Sequence, residues 1–350
     1  MKKIIALLLC LSLMMSCLSG CAASQPETPA QTETPVETEA QVQEETADTE
    51  TTIGYPENDL TMIIPFGAGG GTDTVMRLVA SEVEKQFDPS IIILNQPGNY
   101  GTLGLVELAK AEADGYTISG TSVYDVIGGL LMAGDELNLT WEDFEYVCGV
   151  TDGAEVFIAS PDSGITTFEE FVNYALEHPG ELTVSTSGVT HNLLLGILNM
   201  KLGLEVTNVP YSSGGDSLNA LLGGQVDAAL IGSQFALQVD DAYSVLCAMG
   251  PNRLASIPDV PSVNEIYPEI ELPAGARIIV APKGTPAEIV SLLEELVKEV
   301  TDTDAFAGKM SETGNVYKFT HGADLREAIG NTASFLNDAV AENPAAFGMS

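Results

Sequence analysis

The fold is decided by twelve residues, Met62-Ile63-Ile64-Pro65-Phe66-Gly67-Ala68-Gly69-Gly70-Gly71-Thr72-Asp73. The apolar first half predicts a strand, and the glycines then turn the backbone toward a helix that begins near Val75. Thr72 or Asp73 is placed to cap that helix. Glycines let another group approach the backbone amides closely. A strand, a glycine turn and a helix N-terminus together indicate an anion site. The alternative is a tight turn that binds nothing.

The residues next to the glycines indicate which class of anion this loop could bind. A phosphate loop needs a lysine after its glycines, but Asp73 stands nearby instead. Gly67 and Gly69 fit a dinucleotide fingerprint, whereas Thr72 occupies the place of its third glycine. An aspartate so close would repel a polyphosphate. The residues therefore favour a small carboxylate.

Strands and helices alternate through the first part of the chain. Helices are predicted at 75–87 and 105–111, and strands at 91–94 and 116–119. This alternation predicts an α/β protein with a parallel sheet and helices on its faces. Ligands of such sheets bind beyond the carboxyl ends of the strands. We therefore expect a turn at Gly120, Thr121 and Ser122 to emerge beside the glycine loop.

The pattern repeats in the second part of the chain. Two hydroxyl- and glycine-rich loops, at 186–191 and 211–216, each precede a predicted helix. A last α/β unit, after residue 262, most simply completes the first lobe. We predict lobe 1 at 56–155 plus 262–350 and lobe 2 at 156–261, with a ligand cleft between them.

The composition restricts the partners. The chain has 350 residues, enough for two domains with cores of their own, and a formal net charge of −37. Such a charge argues against nucleic acid or an anionic membrane surface as a partner. It does not by itself indicate a cationic ligand, because a solvated acidic surface is the commoner cause.

The N-terminus predicts export. Lys2 and Lys3 precede an apolar run, and Leu18-Ser19-Gly20-Cys21, which resembles a bacterial lipobox, follows it. Residues 1–20 are predicted to be a lipoprotein signal peptide and Cys21 the lipidated residue; a plain signal peptide or a short membrane anchor is the alternative. Residues 21–55 carry many acidic residues and no basic one, which predicts a disordered acidic tether.

Two further cysteines belong to apolar, strand-like runs. Cys148 and Cys247 could pair in an oxidising exterior, and two buried free thiols are the alternative that we favour.

Several different short motifs follow one another along the chain from Tyr55 to residue 286. They are Ile64-Pro65-Phe66 with 69–73, Asn95 with Pro97, Gly98, Gly101 and Gly104, Asp114-Gly115-Tyr116-Thr117, Val209-Pro210-Tyr211 with Gly214, then 221–227, 258–262 and 281–286. These motifs resemble those of the substrate-binding proteins of tripartite tricarboxylate transporters, the Bug family. The resemblance covers nearly all of the chain from Tyr55 on.

The resemblance implies a two-lobed α/β receptor, like a periplasmic binding protein of the type II Venus flytrap class, with a ligand cleft between two doubly wound domains. It implies capture of a small carboxylated metabolite, such as a di- or tricarboxylate, by hinge closure and delivery to integral membrane transporter subunits. The receptor would be an extracytoplasmic, lipid-anchored monomer without cofactor, metal or nucleic acid.

In this family, main-chain amides of both lobes largely hold the ligand carboxylate. The resemblance assigns the ligand-binding role to thirteen residues: Phe66, Gly69, Gly70, Gly71, Thr72, Asp73, Thr121, Ser122, Ser185, Ser187, His191, Tyr211 and Gly214.

One departure from the family pattern is Arg277, which stands where an aromatic residue is usual. It could pair with a distal carboxylate of the ligand, but we expect a solvated surface arginine. Two other functions stay open: a receptor that signals to a membrane sensor kinase, and an enzyme that pairs Asp73 with His191 across the cleft. No nucleophile elbow or zinc motif supports an enzyme.

Overall fold

The computed structural model describes residues 54–133, 137–153, 155–270, 272 and 275–347. The predicted signal peptide, Cys21 and nearly all of the predicted tether lie outside these residues. Among the residues that are described, no helix combines the length and the apolarity that crossing a bilayer requires.

Strands and helices of the described residues are numbered in chain order. The strands are β1 (Leu60–Ile64), β2 (Ile91–Asn95), β3 (Thr117–Ser122), β4 (Phe144–Thr151), β5 (Glu155–Ala159), β6 (Thr183–Ser187), β7 (Thr207–Tyr211), β8 (Ala228–Gly232), β9 (Ser244–Ala248), β10 (Arg277–Pro282) and β11 (Tyr317–His321). The helices are α1 (Gly71–Gln86), α2 (Thr102–Lys110), α3 (Val123–Ala133), α4 (Phe168–Glu177), α5 (Gly188–Leu202), α6 (Gly214–Leu222), α7 (Val263–Ile266), α8 (Ala287–Thr301), α9 (Asp304–Glu312) and α10 (Gly322–Glu342).

The strands form two sheets, one in each lobe. The first has six strands in the order β11-β4-β10-β3-β1-β2, and the second has five in the order β7-β6-β8-β5-β9. This arrangement confirms the two-lobed α/β fold class. The residue boundaries of the lobes stay a prediction.

The sheets are mixed, so the prediction of parallel sheets is wrong in part. Strands β1, β2 and β3 pair in parallel, as do β6, β7 and β8, but β10 runs antiparallel to β3 and β5 antiparallel to β8. The physical reason is the path of the chain. Strand β5 is the first strand after the chain enters the second sheet, and β10 is the first after it returns. Each begins at the end of its sheet where the parallel strands finish, and therefore runs the opposite way.

This topology places two charged residues at the same end of the molecule. Glu155 is the first residue of β5 and Arg277 the first residue of β10. Both therefore lie at the carboxyl ends of the parallel strands, where α/β proteins bind their ligands.

The two lobes also share packing. One apolar cluster takes buried residues from both sheets, and α3 packs on α5 where Gly128 meets Leu193. A Cβ at Gly128 would stand 2.2 Å from Leu193 Cδ1, so glycine lets the two helices approach closely without displacing that side chain. The contact brings the first turn of α3 beside the first turn of α5.

Two local predictions at the glycine loop need correction. Helix α1 begins at Gly71, earlier than predicted, and its N-cap is Gly70 without a side-chain cap. Residues 120–122 continue β3 and do not form a turn. A Cβ at Gly120 would stand 2.5 Å from Met76 Cγ, so this glycine lets α1 pack closely on the sheet. The prediction of two buried free thiols is confirmed, because Cys148 and Cys247 are both buried and neither forms a disulfide.

Candidate functional site

A cavity of about 660 Å³ opens between the carboxyl ends of the parallel strands of both sheets. The first residues of three helices line it, namely Gly71 of α1, Gly188 of α5 and Gly214 of α6. The first N–H groups of a helix have no carbonyl partner within that helix, and the helix dipole adds positive potential there. The cavity therefore receives backbone donors from both lobes.

The structure brings most of the predicted site residues together. Ten of the thirteen line the cavity: Phe66, Gly69, Gly70, Gly71, Thr72, Ser122, Ser187, His191, Tyr211 and Gly214. The other three, Asp73, Thr121 and Ser185, are buried beside it and are not among its lining residues.

Asp73 stabilises the glycine loop, residues 67–71, by accepting hydrogen bonds from it and from its neighbours. Its Oδ2 accepts hydrogen bonds from Gly69 N at 2.8 Å and from Arg77 Nε at 2.9 Å. Its Oδ1 accepts one from Asn95 Nδ2 at 2.8 Å, and Asn95 also donates to the Phe66 carbonyl. Burial by itself would raise the pKa of Asp73, but the hydrogen bonds from Arg77, Gly69 and Asn95 outweigh it and lower that pKa. Asp73 is therefore an ionised support of the loop.

Thr121 and Ser185 are held inside their lobes. Successive side chains of a strand point to opposite faces, so Thr121 points away from the cavity that Ser122 lines. Ser185 accepts a hydrogen bond from Ser217 Oγ at 2.7 Å, beneath α6. Neither side chain reaches the cavity surface.

A charged cluster that the sequence did not reveal forms the polar end of the cavity. His191 Nε2 lies 2.7 Å from Glu155 Oε2, and Glu155 Oε1 lies 3.5 Å from Arg277 Nη2. The Nδ1 atom of His191 contacts the Ser187 carbonyl and lies 3.1 Å from Ser187 Oγ. Glu155, His191 and Arg277 all line the cavity.

Glu155 and His191 each favour the charged form of the other. Burial alone would lower the pKa of His191, but the charge and hydrogen bond of Glu155 raise it. Burial alone would raise the pKa of Glu155, but His191 and then Arg277 lower it. The cluster therefore favours one buried anion between two cations.

The expectation of a solvated Arg277 is wrong. Its residue is only 4% exposed, its backbone N–H donates to Thr151 Oγ1 at 2.8 Å, and Nη1 donates to Asn315 Oδ1 at 3.2 Å. The antiparallel entry of β10 at the cleft explains this burial.

A second acid, Asp125, ties the two lobes together. Its Oδ2 accepts a hydrogen bond from Ser122 Oγ at 2.6 Å, and its Oδ1 accepts one from Thr190 Oγ1 of α5 at 2.8 Å. Burial raises the pKa of Asp125, and the two hydroxyl donors offset the increase only in part. Its neutral form is thus favoured more than that of an exposed aspartate.

The sequence carries partial signals of Glu155 and Arg277. Glu155 and Arg277 are the first residues of the buried strands Glu155–Ala159 and Arg277–Pro282. A buried charged side chain needs a partner of opposite charge. The 122-residue separation of Glu155 and Arg277 hides the fact that they are each other's partners.

The arrangement suits anion binding through backbone amides and the buried guanidinium of Arg277. Within the described part of the chain, no group of three or more His, Cys, Asp or Glu side chains is arranged to hold a metal ion. Two α/β lobes with such a cavity between them define a two-lobed solute-binding protein of the periplasmic type.

Comparison with known proteins gives the family. The family model TctC, described as the tripartite tricarboxylate transporter family receptor, matches residues 75–332. The chain therefore belongs to this receptor family. An Agrobacterium vitis relative, described as the UPF0065 protein in the TAR-I ttuE-ttuC' intergenic region, is 31% identical over 273 residues, which are 75% of this chain and 77% of the relative. Protein BugT of Bordetella pertussis is 28% identical over 267 residues, covering 74% of this chain and 81% of BugT.

A solved structure agrees with this assignment. The structure of MatC (Rpa3494) from Rhodopseudomonas palustris with bound malate has a TM-score of 0.72 to this chain and 26% sequence identity, and the match covers 82% of this chain and 100% of that chain.

Proposed function

We propose that this protein is the extracytoplasmic receptor of a tripartite transporter, and that it captures a small carboxylate for two integral membrane subunits without changing it chemically. The observation that carries the proposal is the convergence of three helix N-termini, from α1, α5 and α6, on one cavity between the lobes. Such N-termini bind carboxylates through bare N–H groups and the helix dipole.

The position of the donors supports closure of the lobes on the ligand. Helix α1 belongs to the first sheet's lobe and α5 and α6 to the second, so a carboxylated ligand that lies between them contacts both lobes. A ligand that gains such contacts in the closed form alone shifts the population toward closure. The malate bound to the MatC relative supports a small carboxylate as the class of ligand.

A melting-temperature screen of mono-, di- and tricarboxylates tests the proposal. At a hundredfold excess over Kd, a ligand that binds only the folded state adds about 2.7 kcal/mol of stability, a shift of about 5 °C. At least one carboxylate should produce such a shift in the wild-type protein. If none of the panel does, the proposed function is wrong.

Replacement of Gly70 by leucine should abolish that shift and leave the fold intact. Gly70 has a φ of −71°, which any residue adopts, and the closest contact of an added Cβ, Gly67 O, lies at 3.4 Å. The leucine side chain would cover the α1 amides. The matched control is Gly308→Leu, at an exposed glycine of α9 where an added Cβ meets nothing within 4 Å. An unchanged shift in Gly70→Leu would exclude this loop from the site.

We further propose that Cys21 carries a lipid that anchors the protein to the membrane. The Cys21→Ala variant should move from the membrane fraction to the soluble fraction, and immunoblotting of fractionated cells measures this. Continued association of Cys21→Ala with the membrane would contradict a lipid anchor at this residue.

A further inference from the structure

Arg277 has hydrogen-bonding capacity that its neighbours do not fill. A guanidinium carries five N–H donors. Nη1 reaches Asn315 Oδ1 at 3.2 Å and Nη2 reaches Glu155 Oε1 at only 3.5 Å. Among the described residues, the buried Nε atom of Arg277 has no hydrogen-bond partner. A buried donor of this kind is costly unless something accepts from it.

The counter-charge of Arg277 is also shared. Glu155 makes its shorter contact, 2.7 Å, with His191, and its longer one with Arg277. One carboxylate therefore serves two buried cations. Arg277 is left with positive charge that a further anion in the cavity would balance.

The guanidinium lies beside the N-terminus of α1. A Cβ at Gly71, the first residue of α1, would stand 2.5 Å from Arg277 Nη2 and 3.2 Å from Gln234 Nε2. The first amides of α1 and the arginine donors therefore lie close together at the cavity wall. The amides of α5 and α6 lie at Gly188 and Gly214 in the other lobe, so the cavity has two separate sets of anion donors.

We propose that Arg277, together with the first amides of α1, binds one carboxylate of the ligand while the amides of α5 and α6 bind another, so that this receptor selects dicarboxylates over monocarboxylates. The proposal rests on the proposed function, because it names the substrate class of the same cavity. A charged donor that is itself buried, as Arg277 is, discriminates by charge more strongly than neutral amides do. Arg277 is thus the residue that determines specificity.

Matched pairs of acids test the proposal. Each pair has the same number of carbons, with one carboxylate replaced by a methyl group: malonate and propionate, succinate and butyrate, glutarate and valerate, adipate and hexanoate. Isothermal titration of the full-length protein should show at least one dicarboxylate bound more than about tenfold tighter than its partner. In Arg277→Met, affinity for that dicarboxylate should fall about thirtyfold, and affinity for the monocarboxylate should fall less, so that the ratio of the two affinities becomes smaller.

Two variants make the result specific. Arg253→Met removes one positive charge from an exposed arginine that pairs with Glu265 outside the cavity, and it should leave both affinities unchanged. Arg277→Lys keeps the charge and loses the planar fork, so its dicarboxylate affinity should fall less than that of Arg277→Met. Arg277→Lys also serves if the methionine variant fails to fold.

The outcomes separate this proposal from the proposed function. If wild type binds carboxylates but Arg277→Met, or Arg277→Lys in its place, keeps the wild-type ratio within each pair, the role of Arg277 is wrong and the receptor function stands. If wild type prefers monocarboxylates, selection of dicarboxylates is wrong. If wild type binds no mono-, di- or tricarboxylate, both proposals are wrong.

Discussion

Replacing Glu155 with glutamine should lower the free energy of unfolding by about 3 kcal/mol at pH 6, because it leaves two buried cations without their shared anion. The Glu155 side chain is 9% exposed, that of His191 12% and that of Arg277 5%. Water therefore screens these cations only in part and does not fully replace the lost charge. Glutamine keeps the size of the side chain, so packing in β5 should change little. Urea denaturation of wild type and variant without ligand measures the difference.

The control for this prediction is an exposed pair. Asp302 Oδ2 lies 2.6 Å from Lys298 Nζ, with side chains 56% and 40% exposed, and solvent screens such pairs. Asp302→Asn should leave the urea midpoint unchanged within error. A Glu155→Gln variant as stable as Asp302→Asn would show that the cluster is not held by charge.

The effect of Glu155→Gln should depend on pH in a defined direction. Because the folded-state pKa of Glu155 is lowered, its stabilisation is fully present above about pH 4.5, its ordinary value, and is lost as the pH falls through the folded-state pKa. Because that of His191 is raised, its stabilisation is fully present below about pH 6.5 and is lost as the pH rises through the folded-state pKa. The difference between wild type and variant should therefore be largest between about pH 4.5 and 6.5. Above this range part of the difference persists, since Glu155 also pairs with Arg277 in the wild-type protein.

Backbone-dominated parts of the site could be predicted from the sequence. Glycines, hydroxyl residues and helix starts lie within a few positions of one another, as in 66–72 and 187–191, and local chemistry fixes their place at a strand end. Ten predicted residues accordingly line the cavity. Ser185 is a predicted residue that does not line the cavity, because it lies deeper in its strand than Ser187 and its hydroxyl is hydrogen-bonded to Ser217 within the lobe.

The charged cluster could not be predicted, because it depends on where the chain crosses between sheets. A parallel sheet in each lobe would have placed Glu155 and Arg277 far from the ligand loops. The reversal of β5 and β10 brings both to the cleft. Residues 122 positions apart become partners only through that reversal, and the sequence carries no local trace of it.

Replacing Asp73 with asparagine should weaken carboxylate binding by more than about tenfold and lower the free energy of unfolding by about 2 kcal/mol. All three groups that face Asp73 are donors: Gly69 N, Arg77 Nε and Asn95 Nδ2. Whichever way an asparagine amide is turned, its NH₂ group meets at least one of them. The loop that carries Gly69 and Gly70 would lose its support, so the α1 amides would no longer be held ready for a ligand. Titration with the best carboxylate of the panel and urea denaturation measure the two effects.

A matched control and a pH series make the role of Asp73 specific. Asp324 is the third residue of α10, as Asp73 is of α1, but its side chain is exposed. Asp324→Asn therefore repeats the loss of charge in the first helical turn and should change neither binding nor stability measurably.

Because the pKa of Asp73 is lowered in the folded protein, its stabilisation is fully present above about pH 3.8 and is lost as the pH falls through the folded-state pKa. Wild type and Asp73→Asn should consequently differ at pH 7 and converge in acid. A stability difference that stays constant down to full protonation of Asp73 would mean that shape, and not the carboxylate charge, holds the glycine loop.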